Sequence, residues 1–411
     1  MAVVGIKSTT ANMSPPPAGS VNSIAAMTEA TPDPKGGVIA RTSGTRKPNG
    51  IVEEQAWMPV FYRIYGKLSR KMYPYLEAAL DIYSKAGYTT VQDGAAGDPR
   101  VAEALKAIYS ERGHGPDVIN FTVLQSLPEQ NEAPLIKVNK TYDRAYRNGG
   151  VKLILDGGSP GRTAYLREPC YVQRPGESQY RGYPHTADQQ KINDTVAGFY
   201  ARNVPVNIHA LGDAALDMGL EAVEKAEALH GRDNRRTNLI HLQVVGEDQI
   251  KRMATLDVTA TFQATHNYYF GDLHIADTFG PERAARLNPL NSMLKAGVTS
   301  TIHHDAPVHP VDQLLIIWAA VNRVTLSGVT IGPKERVSVM DALKASTINA
   351  AYQYFEEDTK GSIEVGKLAD FVILDADPTA VDPMEIKDIK VLKTIKTGRT
   401  IYSVIGSQKL I

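Results

Sequence analysis

Beyond about residue 55 the chain alternates short apolar, β-rich runs with longer amphipathic runs of helical length. The strand-like runs are residues 88–92, 118–124, 151–155, 204–209, 239–244, 258–262 and 298–303, and helix-like stretches at 99–112, 188–202, 214–230 and 281–296 lie between them. Seven strand–helix units in succession predict a parallel sheet, and so many consecutive units suit an eight-stranded (β/α) barrel better than an open sheet. Residues 337–355 read as one further long helix. Residues 361–402 then change to turn-punctuated strands: a hairpin-like run over 360–375 and strands near 391–395 and 400–404, forming a small β appendage. The first 54 residues carry few large apolar side chains but include Pro15, Pro16, Pro17, Pro32, Pro34 and Gly36-Gly37, so they read as irregular chain wrapping the barrel.

Composition narrows the function. The 411 residues carry 45 basic and 45 acidic side chains, and a formal charge of zero argues against nucleic acid as a partner and for a small-molecule substrate. The longest apolar stretch, 314–321, is far short of the roughly 18 residues that a membrane span requires, so no membrane partner is expected. No basic start followed by an apolar core marks an export signal, which leaves the cytoplasm as the default compartment. Oligomerisation is left open. The single cysteine, Cys170, excludes an internal disulfide and a thiolate cluster, so a metal site would need nitrogen and oxygen ligands. No glycine-rich dinucleotide or P-loop fingerprint occurs.

In (β/α) barrels the active site lies at the carboxyl ends of the strands. Here Lys152 and Asp156, His209, His241, and His303-His304-Asp305 stand at or near such ends. Imidazole and carboxylate suit Zn²⁺ and related divalent ions, and one ligand from each of several strands can converge on one ion. A single strand-terminal histidine is more often a hydrogen-bonded structural residue, and a lysine alternating with apolar residues, as Lys152 does, equally fits pairing with a carboxylate such as Asp156 or Asp93.

Gly366-Lys-Leu-Ala-Asp370-Phe-Val-Ile-Leu-Asp375, with the His, His and Asp strand endings, resembles the metal-dependent amidohydrolase superfamily, and more narrowly its amidohydrolase-3 (YtcJ-like) group. The resemblance runs from about residue 20 to the end. It is carried also by Thr31-Pro-Asp-Pro-Lys-Gly-Gly-Val-Ile39, Pro48-Asn-Gly-Ile-Val-Glu-Glu54, Thr90-Val-Gln-Asp-Gly94, Val151-Lys-Leu-Ile-Leu-Asp-Gly157, His209-Ala-Leu-Gly-Asp-Ala-Ala215, His304-Asp-Ala-Pro-Val308 and Thr347-Ile-Asn-Ala-Ala351. It implies an α/β fold, a deformed (β/α)8 TIM barrel with a small β-sandwich assembled from both chain ends. The implied organisation is an irregular segment at 1–54, a barrel at 55–335, and a terminal helix with a partial β-sandwich at 336–411. The implied activity is hydrolysis of amide-like C–N bonds, other than peptide bonds, by metal-activated water. Lys152, carboxylated by CO₂, would then join His209, His241 and Asp305 as metal ligands, with zinc as the expected ion and Asp305 as the proton shuttle.

The resemblance also implies a His-x-His pair on the first barrel strand, and no His-x-His occurs in this sequence. Counting back from Asp305 makes 88–92 the second strand, so the first strand is missing unless residues 2–9 fill the gap. A chain lacking that pair would keep one ion and lose the other, giving an impaired hydrolase. The alternative is a truncated, non-catalytic homologue acting as a binding or scaffold protein. Three further residues are candidates for substrate binding. His266 would line a pocket or sit in an aromatic loop over the barrel mouth, and Arg162 and Arg323 would hold a substrate carboxylate or be solvated surface charges. His303 shares a face with Asp305, and His304 does not.

Overall fold

The computed structural model describes residues 27–57, 59, 72–96, 98–124, 137–173 and 179–404. Residues 37–54, expected to be irregular, form an antiparallel hairpin of β1 Gly37–Arg41 and β2 Pro48–Glu54. The apolar signal was weak because only Ile39, Val52 and Ala56 are buried in its small core. Glu54 ties the hairpin to the barrel. Its carboxylate accepts from the Thr163 hydroxyl at 2.6 Å and faces His185 Nε2 at 3.2 Å.

Burial pushes the Glu54 carboxyl up, but His185, Thr163 and the backbone at Gly158 hold it below its ordinary value. The folded-state pKa therefore lies below the unfolded one, so this tie stabilises the hairpin above about pH 4.5 and is lost as pH falls through the folded value. Amide exchange at Ile39 and Val52 is expected to accelerate, relative to the barrel, as pH is lowered past that point and intrinsic exchange is corrected for. Unchanged relative protection in acid would refute the assignment.

Seven parallel strands follow in one sheet, in chain order: β3 Thr90–Ala96, β4 Asp117–Val123, β5 Tyr146–Ile154, β6 Val206–Ala210, β7 Asn238–His241, β8 Thr259–Phe262 and β9 Ser300–Ile302. β6, β7, β8 and β9 are buried along their whole length. Strands covered on both faces read as continuous apolar runs, which is why the sequence located them. The helices between them include α1 Met72–Lys85, α2 Pro99–Arg112, α3 Gln189–Tyr200, α4 Asp213–His230 and α5 Glu247–Leu256. The buried face of α4, with Ala215, Leu216, Leu220 and Val223, packs into the main core shared with Leu153, Ile208 and Leu239 of the strands. This is a deformed (β/α) barrel.

Among the described residues β3 and β9 do not pair, and the proposed gap-filling residues 2–9 lie outside the described set. Side chains bridge these two ends instead. The rings of Tyr83 and Tyr88 stand 5.7 and 5.8 Å from that of His304, and the Tyr88 hydroxyl donates to Gln313 Oε1 at 2.6 Å.

Three helical or strand expectations are corrected. Residues 281–296 are not one helix, because after α6 Thr265–Leu273 the chain makes α7 Gly280–Ala284 and α8 Leu290–Lys295. Asn288, at φ +48°, and Pro289 separate the last two. After α9 Gln313–Asn322, the expected long helix is divided into α10 Val339–Ser346 and α11 Ile348–Gln353 by the non-helical Thr347. Residues 360–375 are not a hairpin. Only β10 Phe371–Leu374 is extended, and it pairs with β11 Val391–Lys396, which pairs in turn with β12 Arg399–Ser403. The hairpin turn is Thr397-Gly398, both at positive φ, as a two-residue turn with the right twist requires. Among the described residues no helix is long and apolar enough to cross a membrane.

Candidate functional site

Sheet register decides which side chains share the barrel interior. Lys152 of β5 pairs with Asn207 of β6, two residues before His209, so Lys152 and His209 project to one face. His241 pairs with Ala210, which by register belongs to the opposite face. At His241, however, φ is +83°, and this turn brings its ring to 4.4 Å from that of His209. A non-glycine residue in that region is strained, and here the strain is what directs the imidazole. Asp305, at φ +58°, lies just beyond β9.

Lys152 is only 2% exposed, and among the described residues no carboxylate lies within ion-pair range of its Nζ. The pairing with Asp156 or Asp93 is thus not observed. Burial pulls the ammonium down to about 8, against the charge of Asp305. Burial also holds His209 and His241 well below the ordinary imidazole value, with the Lys152 charge adding to it. Burial raises the Asp305 carboxyl, while the charges of His303, Lys152 and His304 act to lower it. The four residues therefore share one electrostatic neighbourhood.

Asp156 has a different task. Its carboxylate accepts backbone N–H groups of Tyr165 at 3.0 Å, Leu211 at 3.0 Å and Gly212 at 2.8 Å, and its Oδ1 lies 3.4 Å from His209 Nε2. It pins the loop that follows the His209 strand. A Cβ on Gly212 would stand 1.9 Å from the Tyr165 carbonyl oxygen, so the glycine of His209-Ala-Leu-Gly212 is required by that close approach.

Whether these residues suit a metal turns on their free donors. Neither ring nitrogen of His241 or His209 makes a well-aligned hydrogen bond, and Asp305 Oδ2 is buried without a partner among the described residues. Orphaned buried polar atoms are costly. Neutral imidazole nitrogen and carboxylate oxygen are ligands for a divalent ion, so the donor set fits. No three His, Cys, Asp or Glu side chains among the described residues are already gathered around one point, so enclosing an ion takes side-chain rotation.

His266, on α6, is 1% exposed, with its ring 5.3 Å from Phe270 and from His309 and 6.4 Å from His274. It thus lies within an aromatic and histidine cluster. His274 accepts from Gln243 Nε2 at 2.8 Å, and His309 contacts the Thr265 hydroxyl at 2.6 Å. Neither Gln243, inside the strand-like run 239–244, nor His309, beyond the last strand, was singled out by the sequence pattern. Arg162 donates to the Val172 carbonyl at 2.8 Å and lies over the Tyr171 ring. Arg323, 2% exposed, donates to the carbonyls of Ile331, Asn288 and Leu287 at 2.9, 3.0 and 2.6 Å. Its guanidinium knits backbone together, where the sequence led to a cation for a substrate carboxylate or a solvated surface charge, because burial among carbonyls is invisible in sequence.

The parallel barrel-type sheet thus carries a buried lysine and two histidines at its strand ends, with an aspartate just beyond the last strand. Residues 20–402 match the amidohydrolase family. The chain is 28% identical over 388 residues to the putative amidohydrolase YtcJ of Bacillus subtilis (strain 168), covering 90% of this chain and 69% of that protein. It is 28% identical over 395 residues to an N-substituted formamide deformylase of Arthrobacter pascens, covering 92% and 69%. Among solved structures, an uncharacterized metal-dependent hydrolase from Pyrococcus furiosus superposes with a TM-score of 0.66 at 27% identity, over 83% of this chain and 68% of that one. The chain belongs to the amidohydrolase family, and it is a hydrolase of carbon–nitrogen bonds other than peptide bonds.

Proposed function

We propose that the chain hydrolyses an amide-like C–N bond of a small molecule with one divalent ion, zinc in our reading, held by His209, His241 and the carbamate of Lys152, and with Asp305 beside it. The observation that carries this reading is the shared neighbourhood of Lys152, His209, His241 and Asp305, with imidazole nitrogens and a carboxylate oxygen that make no well-aligned hydrogen bond among the described residues. When bound, such an ion polarises the scissile carbonyl and makes water acidic enough to attack near neutral pH.

The protein's own groups do the rest. His209 and His241 are kept neutral by burial and present lone pairs. The Lys152 amine, with its pKa lowered, can add to CO₂, forming an N–C bond and releasing a proton. Asp305 accepts the proton of the attacking water and passes it to the departing nitrogen. The similarity to a deformylase makes N-substituted formamides the first substrates to test.

A second reading, a non-catalytic homologue that binds a ligand or partner, rests on β3 and β9 remaining unpaired with each other among the described residues. Metal analysis of the purified chain and a formamide and amide panel separate the two. About one ion per chain with chelator-sensitive hydrolysis supports the hydrolase, and less than about 0.2 ion per chain with no hydrolysis supports the alternative.

A further inference from the structure

His303 takes no part in the ligand set above, yet it stands inside the same site. It directly follows β9, two residues after Thr301, whose hydroxyl meets that of Thr261 at 2.7 Å within the buried interior. Register links Thr301 to Thr261, Thr261 to Ile240, and Ile240 to His209, so alternation puts the His303 side chain on the Lys152–His209 face. Its ring centre is 4.9 Å from that of His241. Imidazoles that share a tetrahedral ion, each nitrogen about 2.1 Å from it, place their ring centres about 5 Å apart. His303 Nε2 is buried and has no hydrogen-bond partner among the described residues. Turning His303 or His241 toward an ion therefore breaks no well-aligned hydrogen bond at these nitrogens. The neighbouring His304 faces away. Its ring packs on Tyr83 and Tyr88, and its Nδ1 accepts the Ala306 N–H at 2.9 Å.

We propose that His303 is a metal ligand, supplying the site with a third imidazole beside His209 and His241. This rests on the metal-dependent reading above. The resemblance assigns the aspartate after β9 but not this histidine.

The test uses Co²⁺, whose visible spectrum reports coordination number and ligand type, added to the metal-stripped 411-residue chain. Wild type, His303→Ala, His303→Cys and His304→Ala are compared, with circular dichroism as a check on folding. Loss of an inner ligand is expected to weaken Co²⁺ binding by more than about 100-fold in His303→Ala, beyond the 10–100-fold typical of outer partners. His303→Cys should retain binding and gain a thiolate-to-cobalt charge-transfer band in the near ultraviolet, a signature that a structural role cannot produce. His304→Ala should leave affinity and spectrum unchanged. If His303→Ala binds as wild type does, or if folded His303→Cys binds Co²⁺ without the band, His303 is not a ligand while the wider reading stands. If wild type itself binds no Co²⁺, both fall.

Discussion

Replacing Asp305 with Asn is expected to lower kcat on any amide that the wild-type chain cleaves by about 10³-fold, within the range for a lost general acid–base group. The substitution preserves volume and one oxygen but removes the proton acceptor. None of Lys152, His209, His241 and Asp156 can take over the task. Lys152 is a buried cation or, once carboxylated, a ligand, and His209 and His241 have their lone pairs directed to the ion in the proposed arrangement. Asp156 is occupied by three backbone N–H groups. The left-handed backbone at Asp305 fixes where its carboxylate sits, so Asp305→Glu, longer by one methylene, should recover only part of the rate. Bound metal should fall much less than activity, because three ligands remain. A kcat within tenfold of wild type in Asp305→Asn would remove this residue from proton transfer. Equal loss of metal and activity would assign it to metal retention alone.

The barrel was legible in the sequence for a physical reason. Strands such as β6, buried on both faces, read as largely apolar runs, so His209 stood out beside Val206 and Ile208. Alternation likewise separated His303 from His304 correctly. What escaped depended on backbone conformation and long-range contact. The positive φ of His241, which turns its ring back to His209, has no local sequence signature. The Asn288-Pro289 break was visible as a dipeptide but was overridden by the apolar pattern around it. The run 360–375 looked like a hairpin because its apolar residues alternate, yet Ile363 and Val365 are 84% and 108% exposed and β10 finds its partner at β11. Arg323 reads as a cation in any sequence, and only the fold shows its guanidinium donating to three carbonyls.

The largest stability loss is expected at the opposite kind of site, a buried ion network that joins the barrel to the three-stranded sheet. Glu356, 8% exposed, accepts from the Tyr142 hydroxyl at 2.6 Å, pairs with Arg147 at 3.2 Å and pairs with Lys360 at 2.9 Å. Lys360 also reaches Asp117 at 2.7 Å, and Asp117 with Asp370 holds Lys396 of β11 at 2.8 and 2.9 Å. Glu356→Ala would leave Arg147 and Lys360, 4% and 7% exposed, as buried cations short of a counter-charge. Breaking one side of such a pair costs about 3–5 kcal/mol, far more than an exposed pair contributes. Arg147 lies on β5, the strand that carries Lys152, so the loss acts on the sheet that positions the site. Removing the unpaired cation as well should relieve part of the cost: Glu356→Gln with Lys360→Met is expected to be less destabilising than the sum of the two single changes, since the members of one network are not additive. Urea denaturation followed by circular dichroism measures this. A Glu356→Ala midpoint shift equivalent to less than about 1 kcal/mol, the scale of a surface pair, would show that the network is solvated and contributes little.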